Sequence, residues 1–95
     1  MCRIYLSGGI RGYQNGNKAQ FDKYATQLRA AGHEVFSPIE HDLPNVREAF
    51  RQDTSVICSW ADAIYLMPGW QRSRGARAEL ALAQALDDME IVYLS

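Results

Sequence analysis

Glu79 is the residue of this sequence whose position most directly suggests chemistry, because its carboxylate lies where a helix should turn an apolar face inward. Apolar residues recur around it at helical spacing, namely Ala76, Leu80, Ala83 and Leu86. A carboxylate on such a stripe needs a partner, a ligand or a shifted pKa. Beside the anomeric carbon of a sugar it can act as a nucleophile or stabilise an oxocarbenium-like transition state. The alternative is a salt bridge from Glu79 to Arg11 or Arg77, without a catalytic role.

An anion site is expected just ahead of Glu79, where a loop leads into the same helix. Ser73 is placed to cap that helix, and the amides that follow it belong to Arg74 and Gly75. The N-terminus of a helix carries partial positive charge and offers N–H groups to anions. A phosphorylated ligand held there would have its sugar directed toward Glu79.

A second stretch that fits a phosphate is the glycine-rich run at residues 8–12. Gly8 and Gly9 end a strand and let the backbone pass close to a ligand. Their spacing is not that of the dinucleotide-binding fingerprint. Arg11 offers a bidentate fork to a phosphate. A plain strand–helix turn with a solvated arginine fits the same run equally well.

The elements that must position these residues alternate along the chain between strands and helices. Strand patterns cover residues 2–7, 33–37, 61–67 and 90–94, and helical patterns cover about 17–31, 45–59 and 74–87. Without hairpin signals, this order predicts a single α/β domain over residues 1–95. We expect a three-layer, Rossmann- or flavodoxin-like parallel sheet of about four strands with helices on both faces.

Ligands of such sheets bind outside the carboxyl ends of the strands, at the switch point in strand order. Loops 8–16 and 68–74 both follow strands, so they belong to that edge.

Two acidic residues are less easily assigned a role. Asp62 stands at the start of the third strand, and Asp53 shares the apolar side of the second helix. Asp53 either contacts the site or accepts hydrogen bonds from nearby backbone, whereas the loop residue His41 is more typical of a surface residue than of a catalyst.

Composition excludes several classes of protein. The chain is 47% hydrophobic and 22% charged, which argues against disorder, and its net charge of −1 gives no general case for binding nucleic acid or a membrane surface. No apolar run approaches the roughly 20 residues of a membrane span. We expect a cytoplasmic protein. Cys2 and Cys58 lack metal-ligand spacing, and neither a metal nor a cofactor is expected.

Three short motifs resemble the nucleoside 2-deoxyribosyltransferase-like superfamily, and with the spacing between them they cover nearly the whole chain. They are Tyr5–Gly12 (YLSGGIRG), Ala61–Tyr65 (ADAIY) and Ser73–Leu80 (SRGARAEL). The run from Pro68 to Glu79 is also similar to a small, largely uncharacterised family found in phages and bacteria. The resemblance implies cleavage of an N-glycosidic bond. One branch of the superfamily transfers the deoxyribosyl group to another base, and another, the 2′-deoxynucleoside 5′-phosphate N-hydrolases, gives it to water.

The resemblance also implies roles for individual residues. Glu79 matches the nucleophile, Asp62 the aspartate that assists at the base or sugar, and Tyr5 the tyrosine that positions the glutamate. Arg11 and Ser73 match phosphate-binding positions of the hydrolases. The remaining expected ligand-binding residues are Gly8, Gly9, Arg74 and Gly75. The transferases carry an aspartate where this chain has Ser73, which favours a nucleoside 5′-monophosphate over a free nucleoside.

The expected function is therefore hydrolysis of the N-glycosidic bond of a (deoxy)nucleoside 5′-monophosphate. Deoxyribosyl transfer between bases and a non-catalytic module that binds or senses a nucleotide are the alternatives. Gly9 stands where the hydrolases often place a serine hydroxyl on the phosphate, which motivates the binding module. The family and the small core both suggest a homodimer or higher homo-oligomer. Candidate interface aromatics are Tyr13, Trp60, Trp70 and Tyr93.

Overall fold

A computed structural model describes residues 2–41, 43 and 45–95 as a four-stranded parallel sheet covered by helices on both faces. This confirms the predicted α/β class and its alternating order. The strands are β1 (Arg3–Ser7), β2 (Glu34–Phe36), β3 (Ala63–Leu66) and β4 (Glu90–Tyr93). The helices are α1 (Lys18–Ala30), α2 (Val46–Ser59) and α3 (Arg74–Ala85). Among the residues that the structure describes, no helix is both long and apolar enough to cross a membrane.

The order of the strands in the sheet is β2-β1-β3-β4, and every neighbouring pair is parallel. β2 therefore lies on one side of β1, and the chain then crosses to the other side of β1 to form β3. Such a switch opens a crevice at the carboxyl ends of the two central strands. Ser7 lies opposite Leu66 in the register, and the Met67 amide donates to the Ser7 carbonyl at 2.9 Å. The loops after β1 and β3 consequently start side by side.

Side chains of β1 alternate between two apolar clusters, because successive residues of a strand face opposite sides of the sheet. Ile4 and Leu6 pack with Phe21 and other residues of α1. Tyr5 belongs to the opposite cluster, which contains Ile57 of α2 together with Ile64 and residues of α3. The alternation puts Tyr5 and Ser7 on the sheet face that α3 covers.

The start of α3 is fixed by its cap. Ser73 is extended and its Oγ accepts a hydrogen bond from the Ala76 amide at 3.1 Å, which confirms the predicted cap. A short 3-10 turn, Trp70–Arg72, precedes it. Gly69 opens that turn with a φ of 92°, a conformation that favours glycine. The turn and the cap together set where the first residues of α3 face the crevice.

We predict that Ile64, which is fully buried on β3, reports directly on the packing of the central sheet. Ile64→Ala should lower the free energy of unfolding by about 2–5 kcal/mol and Ile64→Val by only about 1 kcal/mol, because the cavity grows with each methyl group removed. Urea denaturation of the two variants and the wild type measures both values. Equal losses in the two variants would contradict the packing described here.

Candidate functional site

A cleft of ≈ 990 Å³ opens at the carboxyl edge of the sheet, between the β1–α1 loop, α2 and α3. It brings together most of the residues singled out in the sequence, namely Tyr5, Gly8, Arg11, Ser73, Arg74, Gly75 and Glu79. Loops 8–16 and 68–74 thus meet at one edge, as the switch-point rule predicts.

Glu79 lies on the floor of this cleft, with only 6% of its surface exposed. Tyr5 Oη donates to Glu79 Oε2 at 2.8 Å, and Ser7 Oγ donates to Glu79 Oε1 at 2.7 Å. Both oxygens of the carboxylate are therefore held by hydroxyl groups of β1. In the described part of the chain no arginine lies within salt-bridge distance of Glu79, so the salt bridge considered from the sequence is not formed.

Burial raises the pKa of Glu79 to about 7, from an ordinary value of 4.5. The hydrogen bonds from Ser7 and Tyr5 act in the opposite direction, and the charge of Asp53 raises the pKa further. The pKa of the Tyr5 phenol is raised well above its ordinary value, by burial first and then by Glu79 and Asp53. Tyr5 therefore stays a proton donor, whereas Glu79 titrates near neutral pH.

Asp53 of α2 is a second buried carboxylate in the cleft, with 7% of its surface exposed. Burial raises its pKa, while a hydrogen bond with Tyr5 and the charge of His41 lower it. The Tyr5 hydroxyl thus lies between two carboxylates, and its one proton goes to Glu79 in the structure. The sequence left Asp53 open between a site contact and a backbone acceptor, and the structure places it in the site.

Aromatic rings connect the floor of the cleft to its surface. Tyr5 stacks on Phe36 at 5.6 Å, and Phe36 stacks on His41 at 4.5 Å with an angle of 6° between the rings. His41 is exposed, as expected, but it also lines the cleft. Its ring, with the nearby apolar residues Val46 and Phe50, offers a surface on which a planar base can stack.

Gly9 plays a different part from the one expected, because the structure does not place it among the residues that line the cleft. A Cβ added at Gly9 would lie 2.4 Å from Cε1 of Tyr13. The Tyr13 ring, which does line the cleft, occupies the space that a larger residue at position 9 would need. Side-chain packing between residues of one loop has no periodic signal in the sequence, so this contact was missed.

Asp62, for which a catalytic role was expected, does not line the cleft. Its side chain is exposed and Oδ2 accepts a hydrogen bond from the Arg3 amide at 3.0 Å. A residue that precedes β3 lies at the amino edge of a parallel sheet, whereas the cleft lies at the carboxyl edge. Asp53 is the acidic residue that accompanies Glu79 instead.

Ser7 is the other site residue that the sequence did not single out. It is fully buried and holds one oxygen of Glu79. Its position two residues after Tyr5 on the same strand was the available signal, because residues i and i+2 share a face.

Within residues 2–41, 43 and 45–95, no cluster of three or more His, Cys, Asp or Glu side chains could hold a metal ion.

We predict that Glu79 makes the protein less stable as the pH rises. A group whose pKa is raised on folding contributes stability that is fully present below its unfolded pKa, near 4.5, and is lost as the pH passes about 7. The loss amounts to about 3 kcal/mol. Urea denaturation from pH 4.5 to 8 should show the wild type losing this amount relative to Glu79→Gln, which cannot titrate. A difference that stays constant with pH would contradict the raised pKa.

Comparison with known proteins places the chain in a family without assigning it an activity. No curated protein matches the chain. A family model described as "Domain of unknown function (DUF4406)" matches residues 2–93. That match includes all four strands and every cleft residue described above. The chain therefore belongs to the DUF4406 family.

Proposed function

We propose that the protein hydrolyses the N-glycosidic bond of a (deoxy)nucleoside 5′-monophosphate, with Glu79 as the nucleophile. The observation that carries this proposal is the geometry of Glu79. Its buried carboxylate accepts hydrogen bonds from Tyr5 and Ser7 at the floor of a cleft whose mouth carries arginines and the N-terminus of α3. The resemblance of the motifs around Tyr5 and Glu79 to the N-glycosidic hydrolases supports the same reading.

In the proposed reaction an oxygen of ionised Glu79 attacks C1′ of the sugar, and the bond from C1′ to the base breaks. The base leaves with the electron pair of that bond and takes a proton from Asp53. Water then attacks C1′ of the glycosyl ester, gives its proton to Asp53 and releases the Glu79 carboxylate. The products are the free base and the sugar 5′-phosphate, and both carboxyl groups return to their starting states.

The two carboxyl groups suit these roles because they are coupled through Tyr5. Burial favours a proton on each, while their mutual repulsion favours only one negative charge in the pair. The charge of Asp53 raises the pKa of Glu79, so in the free protein the shared proton rests on Glu79. Its transfer through the Tyr5 hydroxyl to Asp53 gives the form that reacts, with Glu79 ionised and Asp53 protonated. The hydrogen bonds of Tyr5 with Glu79 and with Asp53 provide the path for this transfer.

The opposite ends of the ligand would be held by separate parts of the cleft. Arg11, Ser73 and the first amides of α3 form the phosphate site. The base would lie toward His41 and the apolar residues beside it. This leaves the sugar between the two ends, next to Glu79.

A module that binds a nucleotide without chemistry is the second candidate, and the packing of Tyr13 over Gly9 favours it. The Cβ of a serine at position 9 would lie 2.4 Å from Cε1 of Tyr13, so a serine there would require that ring to move. Deoxyribosyl transfer to a second base uses the same nucleophile and differs only in what attacks the intermediate. A cytoplasmic location and a homodimer or higher homo-oligomer stay predictions.

Removal of the Glu79 carboxylate should abolish turnover. Wild-type protein incubated with a panel of ribo- and deoxynucleoside 5′-monophosphates should release free base from at least one, detected by chromatography. Glu79→Gln should lower kcat by at least about 10³-fold, because it removes the nucleophile. Glu90→Gln is the matched control, since Glu90 is exposed at the amino end of β4.

Calorimetry on the same proteins separates the two candidates. Nucleotide binding that persists in Glu79→Gln, with base released only by the wild type, supports the enzyme. Binding by both proteins with no base released by either contradicts the enzyme and supports the module. Release of a base only when a second base is present would identify the transferase.

Asp53→Asn tests the proton donor. We expect kcat to fall by about 10²–10⁴-fold and the alkaline limb of the kcat–pH profile to disappear, because an amide has no proton to give to the base. Asp62→Asn provides the comparison, since Asp62 is exposed at the other edge of the sheet. Loss of activity in Asp62→Asn with full activity in Asp53→Asn would reverse the assignment.

A further inference from the structure

The mouth of the cleft carries more positive charge than one phosphate needs. Arg11 comes from the β1–α1 loop, and Arg72 and Arg74 flank Ser73. A phosphate monoester presents three terminal oxygens and about two negative charges. One bidentate arginine, the Ser73 hydroxyl and the amides at the start of α3 already satisfy such a group. Two further guanidinium groups stand beside them.

Ion pairs account for only some of the basic residues in the described part of the chain. Four basic side chains elsewhere form ion pairs with carboxylates, namely Arg3–Glu34, Lys18–Asp22, Arg29–Glu40 and Arg51–Glu48. Over the ranges 2–41, 43 and 45–95, Arg11, Arg72 and Arg74 have no such partner. The chain has a net charge of −1, so this local charge does not follow from an overall excess of basic residues. Over the same ranges Lys23, Arg47 and Arg77 also lack such a partner, but they do not line the cleft. Arg11, Arg72 and Arg74 do line it, so an anionic ligand in the cleft can pair with them.

The position of Arg72 extends the anion-binding surface beyond the first turn of α3. A Cβ built at Gly69 would lie 3.2 Å from Arg72 Nη2 and 3.3 Å from Tyr13 Oη. A guanidinium and a phenol therefore flank one point in the loop that precedes Ser73. Both groups line the cleft, and both can donate hydrogen bonds to phosphate oxygens.

The size of the cleft allows a second phosphate. Its volume of ≈ 990 Å³ lies at the upper end of the range of about 300–1,000 Å³ that small-molecule sites cover. The carboxylates that would repel a phosphate, Glu79 and Asp53, are buried at the floor. The cationic groups stand apart from them, on the loops at the mouth.

We propose that the ligands of this cleft include nucleoside 5′-diphosphates and that the cleft binds them more tightly than the matching monophosphates. Arg11, Ser73 and the α3 amides hold the phosphate next to the sugar, and Arg72 and Arg74 hold the terminal phosphate. The inference rests on the proposed function only in taking the ligand to be a nucleotide with its sugar beside Glu79. It concerns binding and adds no chemical step.

The test compares affinities for diphosphate and monophosphate pairs that share a base and sugar, such as ADP with AMP and dCDP with dCMP. Isothermal titration calorimetry at fixed ionic strength is performed in the Glu79→Gln background, in which turnover is removed. We expect at least one diphosphate to bind at least tenfold more tightly than its monophosphate. Raising the salt concentration should weaken the diphosphate more, because its contacts involve more charge.

Substitutions at the mouth assign the extra affinity to individual residues. Arg72→Gln and Arg74→Gln should each reduce the ratio of the two affinities at least threefold, and Arg72→Gln should leave monophosphate affinity within threefold. Arg77→Gln is the matched control, since Arg77 lies one turn into α3 and does not line the cleft. The side chains at positions 72, 74 and 77 are exposed, and urea denaturation checks that each variant is folded.

Equal affinity for the two members of every pair would overturn the inference. A diphosphate preference that persists when both Arg72 and Arg74 are replaced by Gln would also overturn it, as would the absence of binding by any nucleotide. Failure of the proposed chemistry gives a different result. In that case the wild type releases no base, while the preference for diphosphates and its loss in the two variants remain.

Discussion

The structure of the site depends on two hydrogen bonds between β1 and α3. Tyr5 and Ser7 present hydroxyl groups from one face of the strand, and each holds one oxygen of Glu79. A carboxylate with 6% exposure would be costly to bury without such partners. Two neutral donors compensate only part of the cost, so the pKa of Glu79 is still raised to about 7. An arginine in their place would have held the carboxylate ionised and shielded it from a ligand.

Burial of Asp53 beside the same phenol gives the site its second property. Two carboxyl groups that share Tyr5 cannot both be charged without cost, so at neutral pH the arrangement favours one proton for the pair. The proposed hydrolysis needs an ionised nucleophile and a protonated acid, and the singly protonated pair provides both when its proton lies on Asp53. The acidic groups Glu79 and Asp53 lie at the floor of the cleft, whereas the arginines lie at its mouth.

The sequence predicted the parts of the structure that follow from periodicity and topology. Alternating patterns predicted the fold, and the switch-point rule predicted that Arg11 and Ser73 meet at one edge. The apolar stripe of α3 identified Glu79. The role expected for Asp62 came from a motif match, whereas the structure places Asp62 at the amino edge of the sheet and Asp53 in the cleft. Contacts such as that of Tyr13 with Gly9 depend on side-chain packing between irregular segments, which no periodic pattern records.

The central claim is that a nucleotide sugar lies against Glu79. A crystal structure of the Glu79→Gln variant with a (deoxy)nucleoside 5′-monophosphate that the wild type cleaves tests it most directly. The account predicts C1′ within about 3.5 Å of the side-chain amide at position 79, a near-attack distance, with the phosphate at Ser73 and Arg11. A nucleotide bound with its sugar away from α3, or outside the cleft, would contradict it.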